Sequence, residues 1–565
     1  MKNKITKASL VLLLCAGYMF TNDVQAQQNG SNWGEGAKLD DAEVVVEKNR
    51  VIELPQAARN FEKFRINPPE AGDRNVRYRF TDYKLASQDI NLQMKVLTIK
   101  QDELTKLYGN YVKAGLGNYG SLYLKGYFHN KRSDVGSYGA DVSHVSSAVG
   151  PVDRGNSGVG NTAIGVNGER YLQNLTVGGR LSYGRDKYHF YGYPANVETP
   201  IERDTIRQSF NRFAAEGYLH NQTDVKSPLQ YKVGIGFNYL NDRYNMSERN
   251  FAINSVVEYG IDDVSAFKVD ADLSLLGHSD AQTVSRGFFK LKPTYERQLN
   301  ALRLTIGANL AYTADTVNDA RKLNVYPLVR IGLEPIKDNL LLYAGLGGDL
   351  QRTTLYNLTQ ENPYLAPNVQ VADVNKGLEV YGGFSANIAN YVHLTGRVAY
   401  QSFRNLYFYN NSREDVAKFD LVYDNGVTDV LNIYGEAVFN YSDEIRLGLK
   451  ADYNSYNTAT LEQPFHRPEL MASVYGTYNF YDKILFNSEL YYIGSSFGKI
   501  YQADGTSVLR ETDTIVDLNL KADYRFTSRF TLFLMANNLL GQKYERFVNY
   551  PNKGLNLIGG VTYSF

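Results

Sequence analysis

Gly494-Ser495-Ser496-Phe497-Gly498 matches the spacing of a nucleophile elbow, the G-x-S-x-G turn that lifts a serine hydroxyl above a strand for acyl transfer. That chemistry needs a strand-to-helix turn and an oxyanion loop upstream. Here the motif ends an antiparallel strand, so it reads as a glycine-rich loop edge. The seven histidines (129, 144, 189, 220, 278, 393 and 466) stand far apart, with no H-E-x-x-H pair or comparable ligand cluster. His393 shares the polar side of its segment with Thr395 and Arg397, which suits a wetted wall better than a catalyst. Gly115-Leu116-Gly117 and Gly345-Leu346-Gly347-Gly348 lie in hairpin-forming segments, and no Walker A loop appears, so no phosphate cradle is expected. Neither catalysis, a metal nor a cofactor is expected from these residues.

The 565-residue chain balances 60 Lys+Arg against 60 Asp+Glu. Phosphate-backbone affinity needs a basic excess, so a nucleic-acid partner is not implied. Hydrophobic content of 43% and a mean hydropathy of -0.38 exclude a bundle of membrane helices. The one long apolar run is N-terminal. Lys2, Lys4 and Lys7 precede an apolar core, residues 8–20, and Val24-Gln25-Ala26 forms a small-residue cleavage site, so residues 1–26 read as an export signal. A lipoprotein signal at Cys15 is the rival reading, but Leu14 is bulky where such signals want a small residue. Cleavage removes the only cysteine, and with it any disulfide or thiolate chemistry.

From about Lys106 onward, apolar and polar residues alternate, as in strands with two different faces. Leu302, Leu304, Ile306, Ala308, Leu310 and Tyr312 oppose Arg303, Thr305, Gly307 and Asn309. Ile445, Leu447, Leu449, Ala451 and Tyr453 alternate with Glu444, Arg446, Gly448, Lys450 and Asp452. Val516, Leu518, Leu520, Ala522 and Tyr524 alternate with Asp517, Asn519, Lys521, Asp523 and Arg525. Soluble sandwiches also alternate, so segment length and aromatic placement decide. Segments 229–244 and 391–410 exceed the roughly ten residues that cross a bilayer at a tilt. Tyr188-His189-Phe190-Tyr191 and Tyr407-Phe408-Tyr409 crowd rings at segment ends, where interfacial girdles are expected. Residues 106–565 therefore read as an all-β, antiparallel transmembrane barrel of about 22 strands, within 18 to 22. Long links (193–205, 356–373, 410–427, 498–509, 542–552) alternate with brief ones, which places long loops outside and short turns in the periplasm.

The run Phe533-Leu534-Met535-Ala536-Asn537-Asn538-Leu539-Leu540-Gly541-Gln542-Lys543-Tyr544, with a last strand ending Tyr563-Ser564-Phe565, resembles the closing hairpin of TonB-dependent outer-membrane receptors. Glu361-Asn362-Pro363-Tyr364-Leu365-Ala366-Pro367 followed by Gly377-Leu378-Glu379-Val380-Tyr381-Gly382 is similar to a mid-barrel loop and strand of that family. The Tyr-rich style and the Gln after the cleavage site suggest a Bacteroidetes-like bacterium. The resemblance implies a location in the outer membrane and uptake of a solute. It covers the barrel alone, because residues 27–105 are too short for the family's complete plug domain. They form either a reduced plug in the lumen or a docking tail in the periplasm. Asp41-Ala42-Glu43-Val44-Val45-Val46 resembles a TonB box, which would pair as an added strand with a TonB-type energy-coupling protein. A barrel of this width needs an occluder: the tail, a partner, inward-folded loops or flattening.

Candidate site residues follow from this layout. Tyr356, Tyr364, Tyr407, Phe408 and Tyr409 lie in or beside the longest outer loops, where aromatics bind a ligand or surface protein, or anchor at the lipid interface. Glu43, Val44, Val45 and Val46 are the coupling candidates, and Tyr563 and Phe565 the C-terminal barrel-assembly signal. Lys268, Asp270 and Asp272, and Glu444, Arg446, Lys450 and Asp452, mix signs along a strand and read as a salt-bridged lumen wall. Beside transport stands a second reading, a non-transporting barrel that acts as scaffold for a surface or envelope-assembly complex with a periplasmic or surface partner. Peptide mapping of the exported protein is expected to start at Gln27; peptides running through Ala26 and Gln27 in the membrane fraction would contradict the cleavage site.

Overall fold

The computed structural model describes residues 108–565 except 132, 195–199, 222–226, 390 and 503. The segment 1–26, the segment 27–105 and the box at Glu43, Val44, Val45 and Val46 lie outside the described residues. Twenty-two strands form one antiparallel sheet, each paired with its sequence neighbours. The sheet closes on itself: the first barrel strand, Asn110–Gly117, pairs with the last, Asn556–Ser564, in register from Tyr111 opposite Ser564 to Gly117 opposite Ile558. Closure leaves no open edge, so each strand's backbone donors and acceptors find partners without water.

Burial is inverted relative to a soluble protein. Along Ile515–Arg525, Val516 and Tyr524 are exposed, whereas Asp517 and Asn519 each keep 2% of their surface and Lys521 keeps 9%. Ile306 and Tyr312 are exposed on Leu302–Thr313, and Asn309 on the reverse side is buried. The apolar faces therefore meet the surroundings and the polar faces line the interior, which suits lipid outside and a wetted lumen inside. No helix among the described residues is long and apolar enough to cross a membrane; the strands do the crossing.

Links alternate in length as expected. One end carries short turns such as 263–264, 300–301 and 481–483. Asn300 supplies the left-handed φ of +54° that its two-residue link demands. The other end carries 190–206, 352–373, 405–427, 458–469, 494–514 and 538–555. Three of these contain hairpins of their own: Tyr407–Asn411 with Phe419–Tyr423, Phe497–Tyr501 with Ser507–Glu511, and Glu545–Phe547 with Tyr550–Pro551. The segment read as one strand over 391–410 is thus two, Val392–Arg404 in the barrel and Tyr407–Asn411 above it, with a left-handed Asn405 (φ +56°) between them.

The aromatic girdle also sits elsewhere than expected. His189, Phe190, Tyr191, Phe408 and Tyr409 are buried, among loops and away from lipid. Exposed rings sit on the wall instead, towards its long-loop end (Tyr239, Phe251, Phe289, Tyr312, Tyr400 and Tyr492) and at its short-turn end (Tyr391, Tyr441, Phe480, Tyr481, Phe526, Phe530 and Phe565). They pair there, Phe530 with Tyr563 at 4.7 Å and Tyr563 with Phe565 at 5.5 Å between centroids. A ring at a strand end and a ring in a loop core look alike in sequence; only the loop's fold separates them.

Replacing outward Ile306 with Arg is expected to destabilise the barrel by about 2–4 kcal/mol if it lies near the bilayer centre, while Thr305→Arg on the lumen side has a much smaller effect. Urea titrations of folded protein in lipid vesicles measure both, and equal effects would contradict the two-faced wall.

Candidate functional site

The long outer loops fold together into a cap with its own core. Tyr191, Leu355, Leu358, Leu365, Tyr409, Phe419, Phe547 and Tyr550 from four loops pack with Phe210 and Leu240 of the wall. Phe210 and Leu240 occupy the lumen-facing positions of Arg207–Asn221 and Leu229–Asp242, since Phe213 and Tyr239 on the alternate positions are exposed. The cap is therefore seated on the inner wall at the outer mouth.

The loop 352–373 is held at three points. Its helix, Leu355–Glu361, begins at Thr354, whose side chain accepts from the Asn357 N–H. The next orphan donors, the N–H groups of Leu355 and Tyr356, reach the buried carboxylate of Glu248 on the wall at 2.8 and 2.9 Å. Thr359 accepts from Arg212 Nη2 at 2.9 Å, and Arg212 pairs with Asp186. At the loop's end, Asp373 pairs with Arg286 at 3.1 Å and accepts from Thr313 Oγ1 at 2.7 Å, while Arg286 also donates to the Thr353 carbonyl at 2.7 Å. Glu248, Arg286 and Asp373 are all buried, so each depends on its partners to offset lost hydration.

A second network joins the remaining loops. Glu361 accepts from the Tyr407 and Tyr409 hydroxyls at 2.8 and 3.0 Å and lies 3.6 Å from Arg467 Nη1. Burial first, then the Glu361 carboxylate, hold both tyrosines above their ordinary range, so they stay protonated donors. Tyr364 stacks on Tyr550 at 3.7 Å. Asp424 accepts from the N–H groups of Ala459, Thr460 and Leu461 and from the Thr428 and Thr460 hydroxyls, which clips 458–469 to 405–427. His466, fully enclosed, donates from Nδ1 to the Tyr409 carbonyl at 2.8 Å and accepts at Nε2 from the Val548 N–H at 3.2 Å. That assignment needs the neutral ring, and burial lowers its pKa to about 4.

The sequence candidates fall into this frame as follows. Tyr356, Tyr364, Tyr407, Phe408 and Tyr409 all belong to the cap; Phe408 and Tyr409 are buried and the other three partly buried, so the rings expected to be exposed serve the cap's interior in this state. Tyr563 and Phe565 sit at the seam, and the Phe565 N–H donates to the Asn110 carbonyl at 2.9 Å. The Ser496 hydroxyl lies 3.0 Å from Thr512 Oγ1, at the base of a hairpin. His393 bonds Asn387 Oδ1 at 2.8 Å on the inner wall. Lys268 pairs with Asp270, and Lys290 with both Asp272 and Asp349. Glu248, Arg286, Asp373, Asp424 and Arg467 carry no mark in the sequence, and His466 stands there only as one of seven scattered histidines; each has a partner 35 or more residues away along the chain, and spacing carries no trace of such pairs.

No family model and no curated protein sequence matches the chain. Solved structures do. The FrpB iron transporter from Neisseria meningitidis is 10% identical with a TM-score of 0.63, covering 82% of this chain and 82% of its own. The siderophore receptor PirA from Acinetobacter baumannii is 10% identical, TM-score 0.63, covering 82% and 81%. The pyoverdine outer membrane receptor FpvA from Pseudomonas aeruginosa is 10% identical, TM-score 0.61, covering 82% and 80%. The fold is that of TonB-dependent outer-membrane receptors. At this identity the likeness concerns architecture: a 22-strand barrel with long outer loops, on which those proteins are transporters and receptors.

Gly498 leaves no room above the hairpin base: a Cβ there would lie 2.6 Å from His466 Cε1 and 2.7 Å from Val548 Cγ2. Gly498→Val is expected to make the outer loops protease-sensitive while the barrel keeps its heat-resistant gel mobility; unchanged cleavage would contradict the packing. Acid acts on the same point. The folded pKa of His466 lies below its unfolded value of about 6.5, so its contribution is complete above pH 6.5 and is lost as pH falls towards 4, by about 3 kcal/mol. Loop proteolysis is therefore expected to rise between pH 6.5 and 4, and a flat profile would contradict the neutral-ring assignment.

Proposed function

We propose that the protein is an outer-membrane receptor that takes up a solute across the outer membrane, with the loop cap as its outer gate. The observation that carries this reading is a charged, wetted lumen wall lying beneath a cap fastened by side-chain contacts. Barrels of this width hold an aqueous lumen unless something fills it, and a cap held by discrete ion pairs and hydrogen bonds can open without unravelling a strand. The transporter and receptor activities of proteins with the same architecture support the reading, as does the export signal proposed for residues 1–26. Within it, residues 27–105 act as a reduced plug or docking tail. Glu43, Val44, Val45 and Val46 add a strand to a TonB-type coupling protein. Tyr563 and Phe565 mark the last strand for barrel assembly. Tyr356, Tyr364 and Tyr407 become available to a ligand or surface protein when the cap loosens.

Planar-bilayer currents test the gate. The native chain is expected to conduct little, and Arg286→Ala with Asp373→Ala, which frees the loop 352–373, to add a large steady current. Deleting residues 27–105 as well separates a lumenal segment, which adds further current when removed, from a periplasmic tail, which adds none. If no variant conducts and cells lacking the protein take up solutes normally, the scaffold reading replaces transport. Val45→Pro removes the donor an added strand needs, so uptake is expected to fall while the barrel still assembles; unimpaired uptake would contradict energy coupling at this box.

A further inference from the structure

The outward face of the wall changes character over one sector of its outer end. Across the strands Val159–Tyr171, Leu175–His189, Arg207–Asn221 and Leu229–Asp242, the register sets Ile164, Tyr183, Phe213 and Tyr239 side by side, all exposed on the lipid face. The next outward row, towards the long loops, is His144, Thr162, Arg185, Asn211 and Asn241. The apolar side ends between the two rows. Leu175 to Tyr183 is nine residues, about the length that crosses the hydrocarbon at a tilt, so Arg185 and Lys187 emerge at the height of the outer headgroups. Elsewhere round the wall the corresponding strand ends present Tyr312, Leu323, Val325, Tyr492 and Val516, all exposed. An outward arginine recurs at 404, but there Asp429 stands diagonal to it, opposite Ser402.

Four cations gather in that sector. Arg185 and Lys187 take alternate positions of one strand, their Cα atoms about 7 Å apart on the same face. Lys187 is paired with Ser209, which makes Arg207 its diagonal neighbour on the next strand. Arg203 donates from Nε to His189 Nε2 at 3.3 Å, and His189 stands opposite Arg207 and two places beyond Lys187. The acids of the same loop end are Asp204, which pairs with Arg207 at 2.9 Å, and exposed Glu202. Among the described residues, Arg185 and Lys187 have no ion-pair partner. Cations so close repel one another, and an anion set among them relieves that repulsion. The cluster is separate from the lumen, because Asp186 and Arg212 on the inner side of the same strands pair with each other.

We infer that Arg185, Lys187, Arg203 and Arg207 form a lateral site for the phosphate of a phosphorylated lipid headgroup in the outer leaflet. Guanidinium forks match phosphate oxygens, and the lysine adds a point charge. The row of Tyr183, Phe213 and Tyr239 just below meets the start of the acyl chains. Height, charge and the apolar row together select a lipid over a dissolved anion. The site requires a barrel in the outer membrane and is independent of uptake.

Native mass spectrometry of the full-length protein in neutral detergent tests it, with diphosphoryl lipid A, zwitterionic phosphatidylcholine and inorganic phosphate as probes. Lipid A is expected to bind saturably and phosphatidylcholine far more weakly. Arg185→Gln with Lys187→Gln is expected to weaken lipid A about tenfold or more, and Arg185→Lys with Lys187→Arg to keep most of the affinity. Arg297→Gln, which removes an exposed outward arginine at the short-turn end, is expected to change nothing. Heat-resistant gel mobility shows that each variant is folded. Absence of lipid A binding by the native protein, equal binding by the native protein and the double Gln variant, or an equal loss in Arg297→Gln would overturn the site. Inorganic phosphate at the concentration of the lipid is expected to leave it bound; displacement would assign the cluster to a free anion and contradict a lipid site.

Discussion

The peptide group cannot be left unpaired in hydrocarbon, and the rest of the molecule is organised around that constraint. An open sheet would expose a row of donors and acceptors at each edge, so the chain must bring Asn110–Gly117 against Asn556–Ser564, more than 400 residues apart in sequence. Once closed, the wall has two unlike sides. Val516 and Ile306 can face lipid only because Asp517 and Asn309 face inwards, and a slip of one residue in any pairing would exchange the two.

The same closure creates the problem that the loops solve. A ring of twenty-two strands is too wide for its wall side chains to fill. At the outer mouth the loops supply an apolar core of their own and dock it on Phe210 and Leu240. They have few long backbone ladders to hold them, so buried side chains take over. Glu248 caps a helix, Arg286 and Asp373 close the ends of one loop, and Asp424 gathers donors from another. Such contacts are strong while all partners are present and fail together when one is withdrawn. This is the behaviour a gate requires, and His466 and the Arg467–Glu361 pair stand where three loops meet.

The wall was legible in the sequence because a period of two survives along each strand: Leu447, Leu449 and Ala451 against Arg446, Lys450 and Asp452 state both faces without knowledge of any neighbour. Alternating link lengths gave the parity of the strands for the same reason. The cap was not legible. Tyr188 to Tyr191 and Tyr407 to Tyr409 satisfy the composition of an interfacial girdle equally well, and only the turn at Asn405 and the hairpin with Phe419–Tyr423 carry the second group off the wall. Glu361 and Arg467 are 106 residues apart, and no local pattern announces that they meet.

All of these conclusions require lipid on the apolar side and water on the polar side of one wall. The most direct measurement is single-cysteine labelling along Ile445–Asn457 in a Cys15→Ser background, with the protein in lipid vesicles. A water-soluble maleimide is expected to modify cysteines at 446, 450 and 452 and to spare those at 447, 449 and 451, which a lipid-soluble reagent reaches instead. Labelling that fails to alternate, or that alternates with the opposite phase, would contradict the account.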